Sequence, residues 1–176
     1  MDRLVEAGYS RKFDEAIIVQ NIVGLDKKVR ENELIALSFA RISADGKIYY
    51  LTSGENSLIA QKKGIISDLH EERIPKIGFI KYIALRKGTP EDAEVIIHED
   101  CLERGDRLLI CTDGVTMPIG RLEEHLKRIR DIRCILGNSA SIEEVIARIN
   151  KSAYEQLVLN KGKPSDDYTI IAIERK

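Results

Sequence analysis

The stretch that decides how this chain is read is "LERGDRLLICTDGVT", Leu102 to Thr116. An apolar run, Leu108, Leu109, Ile110 and Cys111, leads through Thr112 into the pair Asp113-Gly114. A short apolar run bounded by turn residues predicts a buried strand, here Arg107 to Cys111. A strand that ends on Asp-Gly has two readings. Asp tolerates turns and Gly supplies positive φ, so the pair ends strands for purely local reasons. Alternatively, the strand delivers the Asp113 carboxylate to a place where chemistry is done. Asp113 by itself leaves both open.

Outward from this stretch, the residue period changes from place to place. "RKFDEAIIVQNIVGLDKK" sets Phe13, Ala16 and Ile17 at helical spacing, and Gly24 can stop the element. "ELIALSFARIS" then alternates Ile35, Leu37 and Phe39 against Ala36, Ser38 and Ala40, and "KIYYLTS" follows it. Between them Asp45-Gly46 is a strong hairpin signal. A third strand, "SLIAQKKG", comes after the turn at Gly54. The middle is punctuated by Pro75, Pro90, Gly78 and Gly88, with short strands predicted over Lys81 to Arg86 and Ala93 to His98.

Two helices are predicted after the Asp-Gly pair. "RLEEHLKRIRDIRCIL" mixes charges of both signs, which predicts a solvated face with Leu122, Leu126 and Ile129 inward. A docking surface is the alternative for that face. In "SIEEVIARINKSAYEQLVLN", Ser141 and Glu144 form a capping box, and Ile142, Val145, Ile146, Ile149, Ala153 and Leu157 form an apolar stripe. The chain closes on a strand, "DDYTIIAIERK", after the loop "NKGKPS". With no internal repeat and no linker, a single α+β domain over residues 1–176 is expected.

Composition narrows the function classes. The 28 basic and 29 acidic residues leave a net charge of -1, so no basic excess points to nucleic acid or to an anionic membrane surface. Three widely spaced cysteines, Cys101, Cys111 and Cys134, suit neither a disulfide framework nor a zinc cluster, and they predict a reducing cytoplasm. The opening "MDRLVEAGYSRKF" lacks the apolar run of a signal peptide, and no segment reaches membrane-spanning length. A thiol nucleophile at Cys111 would need a phosphate-cradling loop with a following Arg, and "CTDGVTMP" has none. Cys111 therefore reads as a small buried strand residue, with Cys101 and Cys134 as packing residues. His98, closing "EVIIHED", reads as a strand-end histidine rather than a base.

The remaining chemistry lies in carboxylates at strand ends. Asp113 ends one strand, and the adjacent pair Asp166 and Asp167 begins another. Neighbouring carboxylates repel, so a fold that keeps them together supplies water, a base or a cation. Mg²⁺ and Mn²⁺ take oxygen ligands and keep several waters. Asp113 and Asp166, with the Gly114 carbonyl, would make half of such a site. Two solvated turn caps are the alternative that spacing alone leaves standing.

The ordered set of motifs resembles the metal-dependent, type 2C-like protein phosphatases, above all their bacterial sporulation-type, SpoIIE-like branch. "LERGDRLLICTDGVT" resembles that branch's strand ending in Thr-Asp-Gly. "ISADGKIYYLTSGENSLIAQKKG" resembles its hairpin and following glycine turn, "IPKIGF" its Pro-x-x-Gly segment, and "DDYTIIAIERK" its closing Asp-Asp-x-Thr strand. The resemblance implies an antiparallel β-sandwich flanked by helices, with two Mg²⁺ or Mn²⁺ ions at one end. It implies hydrolysis of a phosphoserine or phosphothreonine by a metal-activated water, on a protein such as a sigma-factor regulator. Carried over by motif, Asp113 and Asp166 are metal ligands, to which the Gly114 carbonyl would add a backbone donor, and Asp167 orients the loop rather than binding metal, a plain cap being its simpler reading.

The sequence departs from the family at its start. The family bridges its two metals with an aspartate of an early Asp-Gly, often followed by Gly-His-Gly. No Gly-His-Gly occurs here, and Asp45-Gly46, the other Asp-Gly, matches the family's later hairpin. The opening strands are therefore expected to be absent, which would weaken a dinuclear centre and open sheet edges to another chain, a second copy included. Three readings follow: a truncated phosphatase, an enzyme completed by another acid or by a partner chain, or a non-catalytic binding and regulatory module.

Overall fold

The computed structural model describes residues 37–53, 56–69, 97–116, 122–159 and 167–176, together with the helical Gln20. The rest of the predicted first helix, the Pro-x-x-Gly segment and the strand predicted over Lys81 to Arg86 lie outside the described residues. In chain order the strands are β1 (Leu37–Ile42), β2 (Lys47–Ser53), β3 (Ser57–Lys62), β4 (Ile65–Asp68), β5 (His98–Cys101), β6 (Arg107–Cys111) and β7 (Ile170–Glu174). The helices are α1 (Asp113–Thr116), α2 (Leu122–Gly137) and α3 (Ile142–Leu159). They make an α+β fold with two antiparallel sheets. Among the described residues no helix is long and apolar enough to cross a membrane.

The chain divides into two compact units, Met1–Gly54 with Ile77–Cys101 and Glu55–Lys76 with Leu102–Lys176. The first holds the sheet β1-β2-β5. Its hairpin turns where the sequence predicts: Gly46 adopts φ 90°, and the Gly46 N–H donates to the Ser43 carbonyl at 2.9 Å. The Ser43 hydroxyl donates to Asp45 Oδ1 at 2.5 Å, so Asp45 is occupied in the turn. Of the strand predicted over Ala93 to His98, Ile97 and His98 are described: Ile97 precedes the strand, which begins at His98 and runs on to Cys101. His98 pairs with Tyr50 across β2 and β5, their ring centroids 5.2 Å apart, which is the packing of a strand-end histidine.

The second unit orders its strands β4-β3-β6-β7. Antiparallel register puts Ile59, Leu109 and Ala172 in one row, and Cys111 beside Ile170 in the next. Alternation sends these side chains to one face, where they pack on Ile129, Ile132 and Leu136 of α2 and on Ile142, Val145 and Ile149 of α3. The β3–β4 turn is Lys63-Gly64 at φ 49° and 80°, both positive as in the type I′ turn of two-residue hairpins. At the start of α3 the Glu144 N–H donates to Ser141 Oγ at 3.2 Å, as a cap does. The Glu144 carboxylate accepts the Ala140 N–H at 2.7 Å, one residue earlier than a standard capping box.

The inward face of α2 differs from expectation. Leu126 is 47% exposed, whereas Arg128, from the face read as solvated, is 1% exposed. Among the described side chains the buried stripe is Arg128, Ile129, Ile132 and Leu136, so Ile129 is inward as expected, while Leu122 lies outside the described side chains. The stripe is rotated away from Leu126 because the Arg128 guanidinium finds acceptors inside the fold. Cys101 and Cys134 are likewise exposed rather than packed.

Candidate metal site

Strand β6 is buried over most of its length because both of its neighbours pair along it, and it ends at Cys111 with 1% exposure. Burial pushes the Cys111 thiol up to about 12; the Arg128 cation pulls it down and the Asp68 carboxylate adds to the rise. Burial and the rise in its pKa both favour the protonated thiol, as suits a packed strand residue.

One residue on, Thr112 ties the strand end to the start of β7. Its N–H donates to the Thr169 carbonyl at 3.1 Å. Its hydroxyl donates to the Asp167 carbonyl at 2.9 Å and accepts the Thr169 N–H at 2.9 Å. The chain then enters α1, where the Val115 N–H donates to the Thr112 carbonyl at 3.0 Å. The Asp113 carboxylate accepts the Gly114 N–H at 2.9 Å. Asp113 is half-buried and Gly114, Val115 and Thr116 are buried.

The register that sets Cys111 opposite Ile170 continues through Thr112 and Thr169, so the Asp113 turn and the Asp167 stretch leave the same end of the sheet. Of the three metal ligands expected from the sequence, Asp113 and Gly114 sit at this junction, and Asp166 lies outside the described residues. Asp167 is exposed and its carbonyl takes the Thr112 hydroxyl, a loop-orienting contact.

Side chains of the helical layer hold both halves of the junction. Arg128 donates from Nε to the Val115 carbonyl at 3.0 Å and from Nη2 to the Ile149 carbonyl at 3.3 Å, and its Nη1 reaches Ser152 Oγ. His125 Nδ1 lies 3.1 Å from the Thr116 carbonyl. On the other half the Tyr168 hydroxyl donates to Asn150 Oδ1 at 2.9 Å. Burial lowers the pKa of Arg128 and raises that of Tyr168, while their mutual attraction opposes both shifts. None of these helix residues is singled out by sequence pattern. An arginine in a helix of mixed charge reads as solvated, and its acceptors come from distant residues.

The donor chemistry fits a hard divalent ion. The described donors, the Asp113 carboxylate and the Gly114 carbonyl, are oxygens, and half-exposed Asp113 is within reach of the waters that Mg²⁺ and Mn²⁺ retain. Among the described residues no group of three or more His, Cys, Asp or Glu side chains gathers, so a full ligand set requires Asp166 or another acid outside them.

Solved structures of the same fold are numerous. The phosphatase domain of the cell fate determinant SpoIIE from Bacillus subtilis, in a crystal form without domain swapping, is 17% identical with a TM-score of 0.67. The match covers 98% of this chain and 70% of that one. The catalytic domain of the serine/threonine phosphatase PstP, in complex with 2 manganese ions, is 17% identical with a TM-score of 0.63, covering 98% and 80%. RsbX in complex with magnesium is 22% identical with a TM-score of 0.60, covering 96% and 67%. No curated protein matches the sequence at a significant level. The profile of Stage II sporulation protein E matches residues 3–176, nearly the whole sequence, and this chain belongs to the SpoIIE family.

Proposed function

We propose that this chain is a metal-dependent protein serine/threonine phosphatase, hydrolysing a phosphoserine or phosphothreonine on a regulatory protein of the sigma-factor-regulator kind. The observation that carries the reading is the Thr112 bridge. By accepting from Thr169 and donating to Asp167, it seats the Asp113-Gly114 turn against the residues that follow Asp166. Membership of the SpoIIE family supports the reaction class, and the manganese and magnesium in PstP and RsbX support the choice of ion.

The Asp113 carboxylate, the Gly114 carbonyl and the Asp166 carboxylate would hold Mn²⁺ or Mg²⁺. Such an ion, when bound, supplies an acidified water and offsets charge on the phosphoryl oxygens. The chain's own part is positional. Asp113 is fixed at the first residue of a turn that is anchored in front by Thr112 and behind by Arg128. The substrate reaches the site from the solvent side, where Asp113 is half-exposed and Asp167 exposed.

The test is hydrolysis of an aryl phosphate with and without Mn²⁺, with Asp113→Asn run beside the natural chain. Turnover that needs Mn²⁺ and disappears in the variant, with circular dichroism unchanged, is the expected result. No turnover in either folded protein would overturn the enzyme reading and leave the non-catalytic binding module.

A further inference from the structure

One turn of α3 anchors both loops of the junction. The Ile149 carbonyl and Ser152 Oγ hold the Arg128 guanidinium, which in turn caps the Val115 carbonyl of α1. Between them in sequence, Asn150 Oδ1 accepts the Tyr168 hydroxyl, two residues after Asp166. The Asp113 half and the Asp167 half are therefore referenced to the same four residues of a helix that bears neither.

Arg128 is an expensive residue to keep there. It is 1% exposed, and a buried cation is tolerated only where its donors are satisfied. An apolar side chain of similar length would fill the same space without that demand, so packing alone does not account for a guanidinium. What a guanidinium does, and leucine or methionine cannot, is fix three acceptors of two elements in one plane. The acceptors are a carbonyl of α1 and a carbonyl and hydroxyl of α3. Helix α1 is described over Asp113–Thr116, and within it the Val115 carbonyl takes the Arg128 Nε–H at 3.0 Å.

We infer that Arg128 is a positioning residue for the candidate metal site: through Val115 it sets where the Asp113 carboxylate stands relative to Asp167 and the start of β7. This rests on the reading of Asp113 as a metal ligand, but the geometric part is separable from it. Arg128 is buried, and its guanidinium is held by Val115, Ile149 and Ser152. It acts through the α1 backbone, as outer-shell partners of metal ligands do.

The experiment compares the natural chain with Arg128→Met and Ser152→Ala, the second removing a single anchor of the guanidinium. Two readouts are taken on each: amide hydrogen exchange of residues 113–116 and 167–169, and Mn²⁺ affinity by electron paramagnetic resonance of the free ion. In Arg128→Met, exchange at Val115 should accelerate about tenfold or more, the loss of one charge-assisted hydrogen bond. The core amides of β6 should not change. Mn²⁺ affinity should fall by roughly 10–100-fold, the usual effect of removing an outer-shell partner. Ser152→Ala should move both in the same direction by less. Unchanged exchange over 113–116 in a folded Arg128→Met protein would overturn the inference. So would faster exchange with unchanged Mn²⁺ affinity, since Arg128 would then brace the turn without setting the ligand. Should the natural chain bind no Mn²⁺ while exchange over 113–116 still accelerates, the positioning of the turn stands and the metal reading of Asp113 fails instead.

Discussion

Thr112 and Thr169 face each other in the ladder, yet only one of the bonds between them is backbone to backbone. The Thr112 N–H reaches the Thr169 carbonyl at 3.1 Å, but the Thr169 N–H is taken by the Thr112 hydroxyl at 2.9 Å. In a regular antiparallel pair the Thr112 carbonyl would accept that N–H. Here that carbonyl accepts the Val115 N–H at 3.0 Å. The hydroxyl stands in for the backbone, and this substitution lets β6 leave the sheet and start α1 within one residue. Asp113 is the residue that results.

Thr112→Val keeps the shape and removes the hydroxyl. The Thr169 N–H and the Asp167 carbonyl each lose a partner that water can replace, so stability should fall by about 0.5–1.5 kcal/mol. Denaturant unfolding should show a lower midpoint at an unchanged slope. A midpoint equal to that of the natural chain would mean that the hydroxyl does not replace the ladder bond.

The cap of α3 is worth a separate test. Ser141→Ala removes the acceptor of the Glu144 N–H and should cost about 1 kcal/mol, read as a lower melting temperature. Glu144→Ala should cost a comparable amount, because its carboxylate accepts the Ala140 N–H. A stability that responds to neither variant would refute this account of how the helix begins.

The three cysteines should separate by accessibility. Cys101 and Cys134 are exposed and Cys111 is 1% exposed, so iodoacetamide on the native protein should alkylate two sites and spare the third. Peptide mass spectrometry reads the result. Labelling of Cys111 at the rate of the others would show that the end of β6 opens readily.

Asp45 offers a titration test in the hairpin of the first unit. The Ser43 hydroxyl, ahead of the Lys47 backbone, holds its carboxyl below the usual 3.8. A carboxylate depressed in this way stabilises the fold above its unfolded value, and the contribution is lost as pH falls through the folded one. Ser43→Ala should move the Asp45 carboxyl back up in a carbon-detected NMR titration. An unchanged titration would assign the shift to the turn backbone instead.

Much of the architecture is local and was therefore readable. The strand Arg107 to Cys111 is where its apolar run and flanking turn residues predict it. The helices expected over 121–136 and 141–160 appear as Leu122–Gly137 and Ile142–Leu159. The hairpin turns at Asp45-Gly46 because that pair suits the backbone whatever surrounds it. Of the site, the sequence pointed to Asp113 and Gly114 through motif order rather than through geometry. It was silent on Thr112 as a bridge and on Arg128 and His125 as clamps.

What the amino-acid sequence determined by itself was the set of elements, since period, caps and turn residues act over a few neighbouring residues. It also determined the family, through the order of motifs along the chain. Only the tertiary structure decided which polar groups meet at the end of β6. Thr112 finds its acceptor 55 residues away at Asp167, and Arg128 finds partners 13, 21 and 24 residues away. No periodicity links such positions. A buried guanidinium is admissible where folding brings several acceptors to one place, and helix pattern alone assigns it to solvent.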